Sequence, residues 1–155
     1  MADFVYNTGA NDIGMDQIID VITDALLKAM LVTSSYVADR DDDVVDAAGA
    51  NDAIDHELSG TGYTGGFGGS GRKVLASKSL TVDKANNRVE FDCADIVWTA
   101  INAGTPSQML IIRELTDDTA TRLVSHHDSG FPVTTNGGDL TVTIDAEGLI
   151  QERTT

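Results

Sequence analysis

Three groupings of residues in this sequence carry side chains able to do chemistry, and each can be tested against the spacing that its chemistry requires. His126-His127-Asp128 puts two imidazoles and a carboxylate in consecutive positions. Zinc draws three or four convergent ligands, whereas neighbours on a strand point to opposite faces. His126 and His127 are therefore poorly placed to share one ion, and His56 lies far away with no cysteine beside it. Asp39, Asp41 and Asp43 have the alternate spacing that opens an EF-hand calcium loop. Such a loop then needs Gly at its sixth position and Glu at its twelfth, where this chain has Val44 and Ala50. An EF-hand is excluded, and two readings stay open: a looser calcium site or a solvated acidic turn. Gly66 and Gly71 match the glycines of a P-loop, but Arg72 then stands for the lysine and Lys73 for the Ser or Thr that holds magnesium. The nucleotide reading fails on the missing hydroxyl.

Nucleophilic catalysis fares no better. No Gly-x-Ser-x-Gly elbow occurs. Cys93, the single cysteine, alternates with Val89 and Phe91 on what reads as the apolar face of a strand. That pattern predicts a buried, inert thiol. Carboxylates are too abundant for any pair to be singled out as a glycosidase couple. The expectation is a protein that is not an enzyme and uses no cofactor and no metal.

Charge narrows the partners. Twenty-five acidic against ten basic residues give a formal net charge of −15 over 155 residues. A nucleic-acid binder clusters Lys and Arg against phosphates, and anionic membrane surfaces repel such a chain equally. The charge serves solubility, docking onto a basic surface, or use in salty surroundings. No apolar run approaches the ~18 residues of a membrane span. Met1-Ala2-Asp3-Phe4 lacks the basic start of a secretory signal. A soluble protein made in the cytoplasm is expected, and its length suits one domain over 1–155.

The elements that would position these residues are mostly strands. Met15, Ile18, Ile19, Ile22, Ala25 and Leu26 recur at three- and four-residue steps, which predicts an amphipathic helix over 12–27. Lys28 to Tyr36 reads as a strand, and Val44 to Ala48 as one or two helical turns. Residues 59–71 contain seven glycines. Ordering glycine costs the most backbone entropy, so a long surface loop or extended arm is expected there. Beyond it, Lys73–Val82 and Arg88–Phe91 make a hairpin around the Asp83–Asn87 turn. Ile96–Ile101, apolar on both sides, reads as a central strand with Trp98 in the core. Gln108–Leu115, Thr121–His126 and Leu140–Ile144 follow as further strands. Short strands in close succession predict a mostly β fold, an antiparallel β-sandwich or barrel-like domain with one N-terminal α-helix.

Aromatic residues in flexible sequence are the best candidates for contact. Tyr63 and Phe67 stand among Gly65, Gly66, Gly68 and Gly69, and Phe4 and Tyr6 lie in an N-terminal arm over 1–10. Such rings either tuck onto their own domain or anchor a neighbour.

The series Leu31-Val32-Thr33-Ser34-Ser35-Tyr36, Ser59-Gly60-Thr61-Gly62-Tyr63-Thr64, Val89-Glu90-Phe91-Asp92 and Asp95-Ile96-Val97-Trp98-Thr99 resembles a family of small structural proteins of tailed bacteriophages. Asn136-Gly137-Gly138-Asp139-Leu140-Thr141-Val142 and Asp145-Ala146-Glu147-Gly148-Leu149 continue the resemblance in order, over about three quarters of the chain. Gly65–Gly71 is longer than the family pattern, and Val44–Ile54 is unusually rich in Ala. The resemblance implies a virion protein with no catalytic residues. Capsid decoration (cement) is the leading expectation, with the major capsid protein or other virion proteins as partners and a homo-oligomer, favoured as a trimer. A tail, neck or fibre-adaptor component and a receptor- or carbohydrate-binding module are the alternatives.

Overall fold

The structure, a computed structural model, describes residues 3–6, 26–49 and 51–153. Its strands are β1 (Phe4–Val5), β2 (Leu27–Val32), β3 (Lys73–Val74), β4 (Ser79–Asp83), β5 (Arg88–Asp92), β6 (Ile96–Trp98), β7 (Gln108–Arg113), β8 (Arg122–His127), β9 (Leu140–Val142) and β10 (Ile150–Arg153). A single 3-10 turn, Ala53–His56, is the helical element among the described residues. They form antiparallel sheets of order β1-β8-β7-β2-β3, β10-β5-β4 and β6-β9. The chain is mostly β.

The large sheet is buried on both faces, which explains why β2 and β7 are nearly continuous apolar runs. Leu27, Ala29, Leu31, Met109 and Ile111 point to one face and pack with Phe91, Ile96, Trp98, Leu140 and Ile150 of the two smaller sheets. Met30, Val32, Leu110 and Ile112 point to the other and pack with Phe4, Tyr6, Tyr36, Ala38, Val45 and Ala53. Strands alternate their side chains with period two, so each strand feeds both cores. Between Ile111 and Ile112 the pairing partner jumps from Ser125 to Leu123, leaving Val124 as the extra residue of a bulge. On the other edge of β8 the Val124 carbonyl accepts from Tyr6 N–H at 3.0 Å, continuing the register of β1.

The second core is roofed by residues 33–49 and 51–57, irregular backbone apart from the 3-10 turn, and here the acidic residues have a structural task. Asp39 Oδ1 accepts from Asp41 N–H, Asp42 Oδ2 from Asp39 N–H, Asp46 Oδ1 from Ala48 N–H, and Asp52 Oδ2 from both Ala47 and Gly49 N–H. Asp side chains that close turns in this way replace the missing ladder. The helical turns expected over Val44–Ala48 are absent: Val44 bridges Arg122, Val45 is fully buried, and Ala48 sits at φ 62°. Burying Val45 against the sheet overrode the local helix preference.

Other expectations are corrected as well. The helix over 12–27 falls on residues outside the described set except for its end, where Leu26 lies in a turn and Leu27 opens β2. The strand expected to reach Tyr36 stops at Val32. Lys73–Val82 is two strands in different sheets, separated by Ser77 at φ 51°. Ile96–Ile101 is not central: β6 ends at Trp98, pairs only with β9 and leaves Val97 40% exposed. Trp98 is nevertheless fully buried.

Candidate functional site

The glycine-rich segment is a folded loop, not an extended arm. Gly60 and Tyr63 exchange backbone hydrogen bonds, Asn102 N–H reaches Thr61 O at 2.8 Å, and Gly71 N–H reaches Thr64 O at 2.9 Å. Tyr63 is 1% exposed and lies in the first core. Its ring rests on Gly71, where a Cβ would stand 2.4 Å from Cδ1 of Tyr63. Glycine is required there for close approach. Trp98 Nε1 donates to Gly71 O at 2.6 Å and ties the loop's end to the core.

Beneath the loop lies a buried ionic hub. The Arg72 side chain is fully buried. Its Nε and Nη2 donate to the two oxygens of Glu57 at 3.0 and 2.8 Å, in a bidentate fork. Its Nη1 donates to Glu114 at 3.0 Å and to Asp118 at 2.6 Å. Lys28 pairs with Glu114 from the far side. Burial opposes the Arg72 charge, yet the bonds to Glu57 and Asp118 outweigh it and hold the guanidinium protonated. Burial likewise pushes Glu114 up, and Lys28 and Arg72 together bring its carboxyl below the usual value.

The remaining acceptor capacity of the hub is spent on the loop. Glu57 accepts from Gly66 N–H at 2.7 Å and from Tyr63 O–H at 3.1 Å, and Asp118 accepts from Phe67 N–H at 3.0 Å. The Tyr63 oxygen in turn accepts from Leu31 N–H at 2.9 Å. β3 covers only Lys28 and Ala29 of β2, so this hydroxyl supplies the acceptor that the ladder lacks at Leu31. Burial lifts the Tyr63 hydroxyl well above its ordinary pKa, and Glu57 adds to that, so it remains a donor. Gly66 at φ 82° and Gly68 at φ 70° flank Phe67 and turn the chain tightly around it. Phe67 is left 47% exposed at the tip.

Of the residues singled out from sequence, only Phe67 presents its ring to solvent; Gly65, Gly66, Gly68 and Gly69 shape the loop that carries it. Tyr63, Phe4 and Tyr6 are corrected to interior residues, with exposures of 1%, 8% and 0%. Phe4 stacks on His126 with ring centroids 4.8 Å apart, and the Arg40 guanidinium lies 5.1 Å from the Phe4 ring centre. Tyr6 O–H bonds to Tyr36 O–H at 2.9 Å, and Tyr36 O–H donates to Asp42 Oδ2 at 3.1 Å. Residues 3–6 are thus a strand and its flanks, with Asp3 accepting from the Asp128 and Ser129 N–H groups.

The histidine pair splits across the sheet. His126 is buried beside Gln108 on one face, while His127 bonds Ser125 and pairs with Asp3 on the other. Gln108 Nε2 donates to Tyr36 O, so its oxygen accepts from His126 Nε2–H. Burial lowers the His126 pKa, with Asp128 opposing. Cys93 is buried, and burial aided by Asp92 and Asp95 pushes its thiol up to about 11. Among the described residues no three His, Cys, Asp or Glu side chains are grouped to hold a metal ion. The Arg72 hub escaped the sequence reading because Glu57 and Arg72 are distant along the chain from Glu114 and Asp118. The one local signal was an arginine closing a glycine run.

No protein-family model, no curated protein and no solved structure matches this chain.

Proposed function

We propose that the chain is a non-catalytic binding module of a tailed-bacteriophage particle, a capsid-decoration protein that clasps the outer shell through the Phe67 loop. The observation that carries the binding part is the pairing of an exposed aromatic tip with a buried ionic brace. Arg72, Glu57 and Asp118 fix the loop before any partner arrives, so ordering entropy is not lost on association. The virion assignment itself rests on the ordered series of sequence motifs. The large sheet facing two smaller sheets across one core suits a sandwich, a shape that leaves loops free for contact. An acidic surface favours a basic docking patch on the shell.

The test is the copy number of this protein relative to the major capsid protein in purified particles, by quantitative mass spectrometry. A ratio near one, or a simple fraction of it, supports decoration. A few per cent moves the protein to the tail or neck, and absence removes the virion reading. Phe67→Ser, which leaves the brace intact, is expected to release the protein from particles without lowering its melting temperature. Unchanged binding by that variant sinks the clasp.

A further inference from the structure

A second surface combines a strand edge that is unpaired among the described residues with an apolar groove that no residue of the Phe67 loop lines. Among the described residues β9 pairs on one side only, with β6. The direction of its backbone groups follows from the bonds around it. Gly138 O accepts from Ile101 N–H at 3.0 Å, and Ile144 N–H donates to Asp95 at 2.9 Å. Even-numbered residues therefore face β6, and Thr141 and Thr143 turn their N–H and C=O groups the other way. Those groups have no hydrogen-bond partner among the described residues.

Beside this edge run two adjoining cavities of about 320 and 250 Å³, which share Ser129, Phe131, Val142 and Thr143 in their walls. Phe131, Val133, Val142, Ile144 and Leu149 line them, and each is a half-buried apolar residue at the fringe of the first core. β9 itself spans Leu140–Val142, roughly 7 Å at the strand rise of about 3.3 Å per residue, and Thr143 and Ile144 continue along the groove. An added strand of about three residues matches the β9 edge.

We propose that the free edge of β9 receives an extended, basic segment of a partner protein as an added strand, with alternate apolar side chains in the Phe131–Val142 groove. Strand addition draws affinity from main-chain bonds and specificity from pockets that take every second side chain. Basic character follows from the lining, in which Asp3 and Asp145 stand with no basic side chain except His127. A second copy of this chain fits poorly: antiparallel pairing about Val142 would set Asp139 against Asp145 twice, and like charges opposed across strands repel. The inference stands apart from the virion reading and from Phe67.

The experiment titrates ¹⁵N-labelled full chain with the capped hexapeptide Val-Lys-Val-Lys-Val-Lys, followed by NMR. Saturable shifts are expected at the Thr141 and Thr143 amides and along Ser129–Val133, with both threonine amides moving downfield. Thr141→Pro removes an outward N–H and spares the β6 ladder, a position at which proline is tolerated. It is expected to weaken binding at least tenfold while keeping the melting temperature. The same peptide with every amide N-methylated keeps the charge but loses every backbone donor and carries methyl groups that block the close approach of a ladder; it is expected to bind at least tenfold more weakly, which tests the proposal without any variant. Equal binding of the methylated peptide, shifts centred on the Asp39–Asp46 turns, or no saturation would overturn it. So would self-association that buries the Thr141 amide.

Discussion

Replacing Arg72 by Met gives the sharpest test of the brace beneath the loop. The guanidinium makes four hydrogen bonds to three carboxylates, and its own side chain is fully buried. Methionine fills similar volume but leaves Glu57, 3% exposed, and Asp118, 15% exposed, without a cation, while Lys28 still serves Glu114. Removing one member of a buried ion pair costs about 3–5 kcal/mol, because the stranded charge remains desolvated. At about 2–4 °C per kcal/mol for a chain of this size, the melting temperature is expected to fall by roughly 6–20 °C. Chymotrypsin cleavage after Phe67 in the native protein should accelerate in step, since Gly66 and Phe67 N–H lose well-placed acceptors. The double variant Arg72→Met with Glu57→Gln should recover part of the loss, because it removes the charge that the single change strands. Lowering the pH reaches the same hub by another path. Glu114 has a depressed folded pKa, so its contribution is present above the unfolded value and is lost as pH falls through the folded one. If Arg72→Met melts within about 2 °C of the parent and Phe67 cleavage is unchanged, the hub does not hold the loop and the argument from preorganisation fails.

Three smaller perturbations probe the same architecture. Tyr63→Phe strips the acceptor from Leu31 N–H and should cost about 1–3 kcal/mol, with faster hydrogen exchange at the Leu31 amide as its local signature. Gly71→Ala drives a methyl into the Tyr63 ring and is expected to destabilise by about 1–3 kcal/mol in a denaturant melt, whereas an unchanged midpoint would mean that the ring moves freely. His126 has a lowered folded pKa, so the unfolded chain takes up its proton first; stability is full above the unfolded value of about 6.5 and declines as pH falls below it. Melting scans between pH 7.5 and 5 should show that decline, and His126→Gln should flatten it.

Much of the β content was legible because β2 and β7 bury side chains on both faces and so carry long apolar runs. The β4–β5 hairpin was legible because Asp83 and Asn86 sit in its turn, where Asp83 bonds the Ala85 and Asn86 N–H groups. Elements defined by distant partners were not. β1 is two residues long, and only its pairing with Ser125 and His126 makes it a strand. β10 shows one apolar residue, Ile150, and is set by its register against β5. The glycine segment misled for a related reason. Flexibility was inferred from local entropy, while its order comes from Arg72, Glu57 and Asp118, which share no sequence neighbourhood. Phe67 was legible as a candidate contact; the burial of Tyr63, Phe4 and Tyr6 was not, since aromatic type alone does not say which side of a loop faces the core.

The acidic composition serves two physical roles, and they bear differently on function. Asp39, Asp42, Asp46 and Asp52 close turns over the second core, and Glu57, Glu114 and Asp118 neutralise Arg72 beneath the loop. In doing so the hub buries three carboxylates with Arg72 and the adjoining Lys28, so it holds little of the net charge of −15 and nearly all of that charge lies outside it. A partner approaching Phe67 or the β9 edge therefore meets a negative field before it meets an apolar contact. Steering of that kind acts mainly on the association rate and is screened by salt. Raising ionic strength from about 0.05 to 0.5 M should slow capture of a basic partner several-fold while leaving its dissociation rate little changed, because release depends on the dry contacts. Equal slowing of both rates, or none, would mean that the acidic residues serve the fold alone.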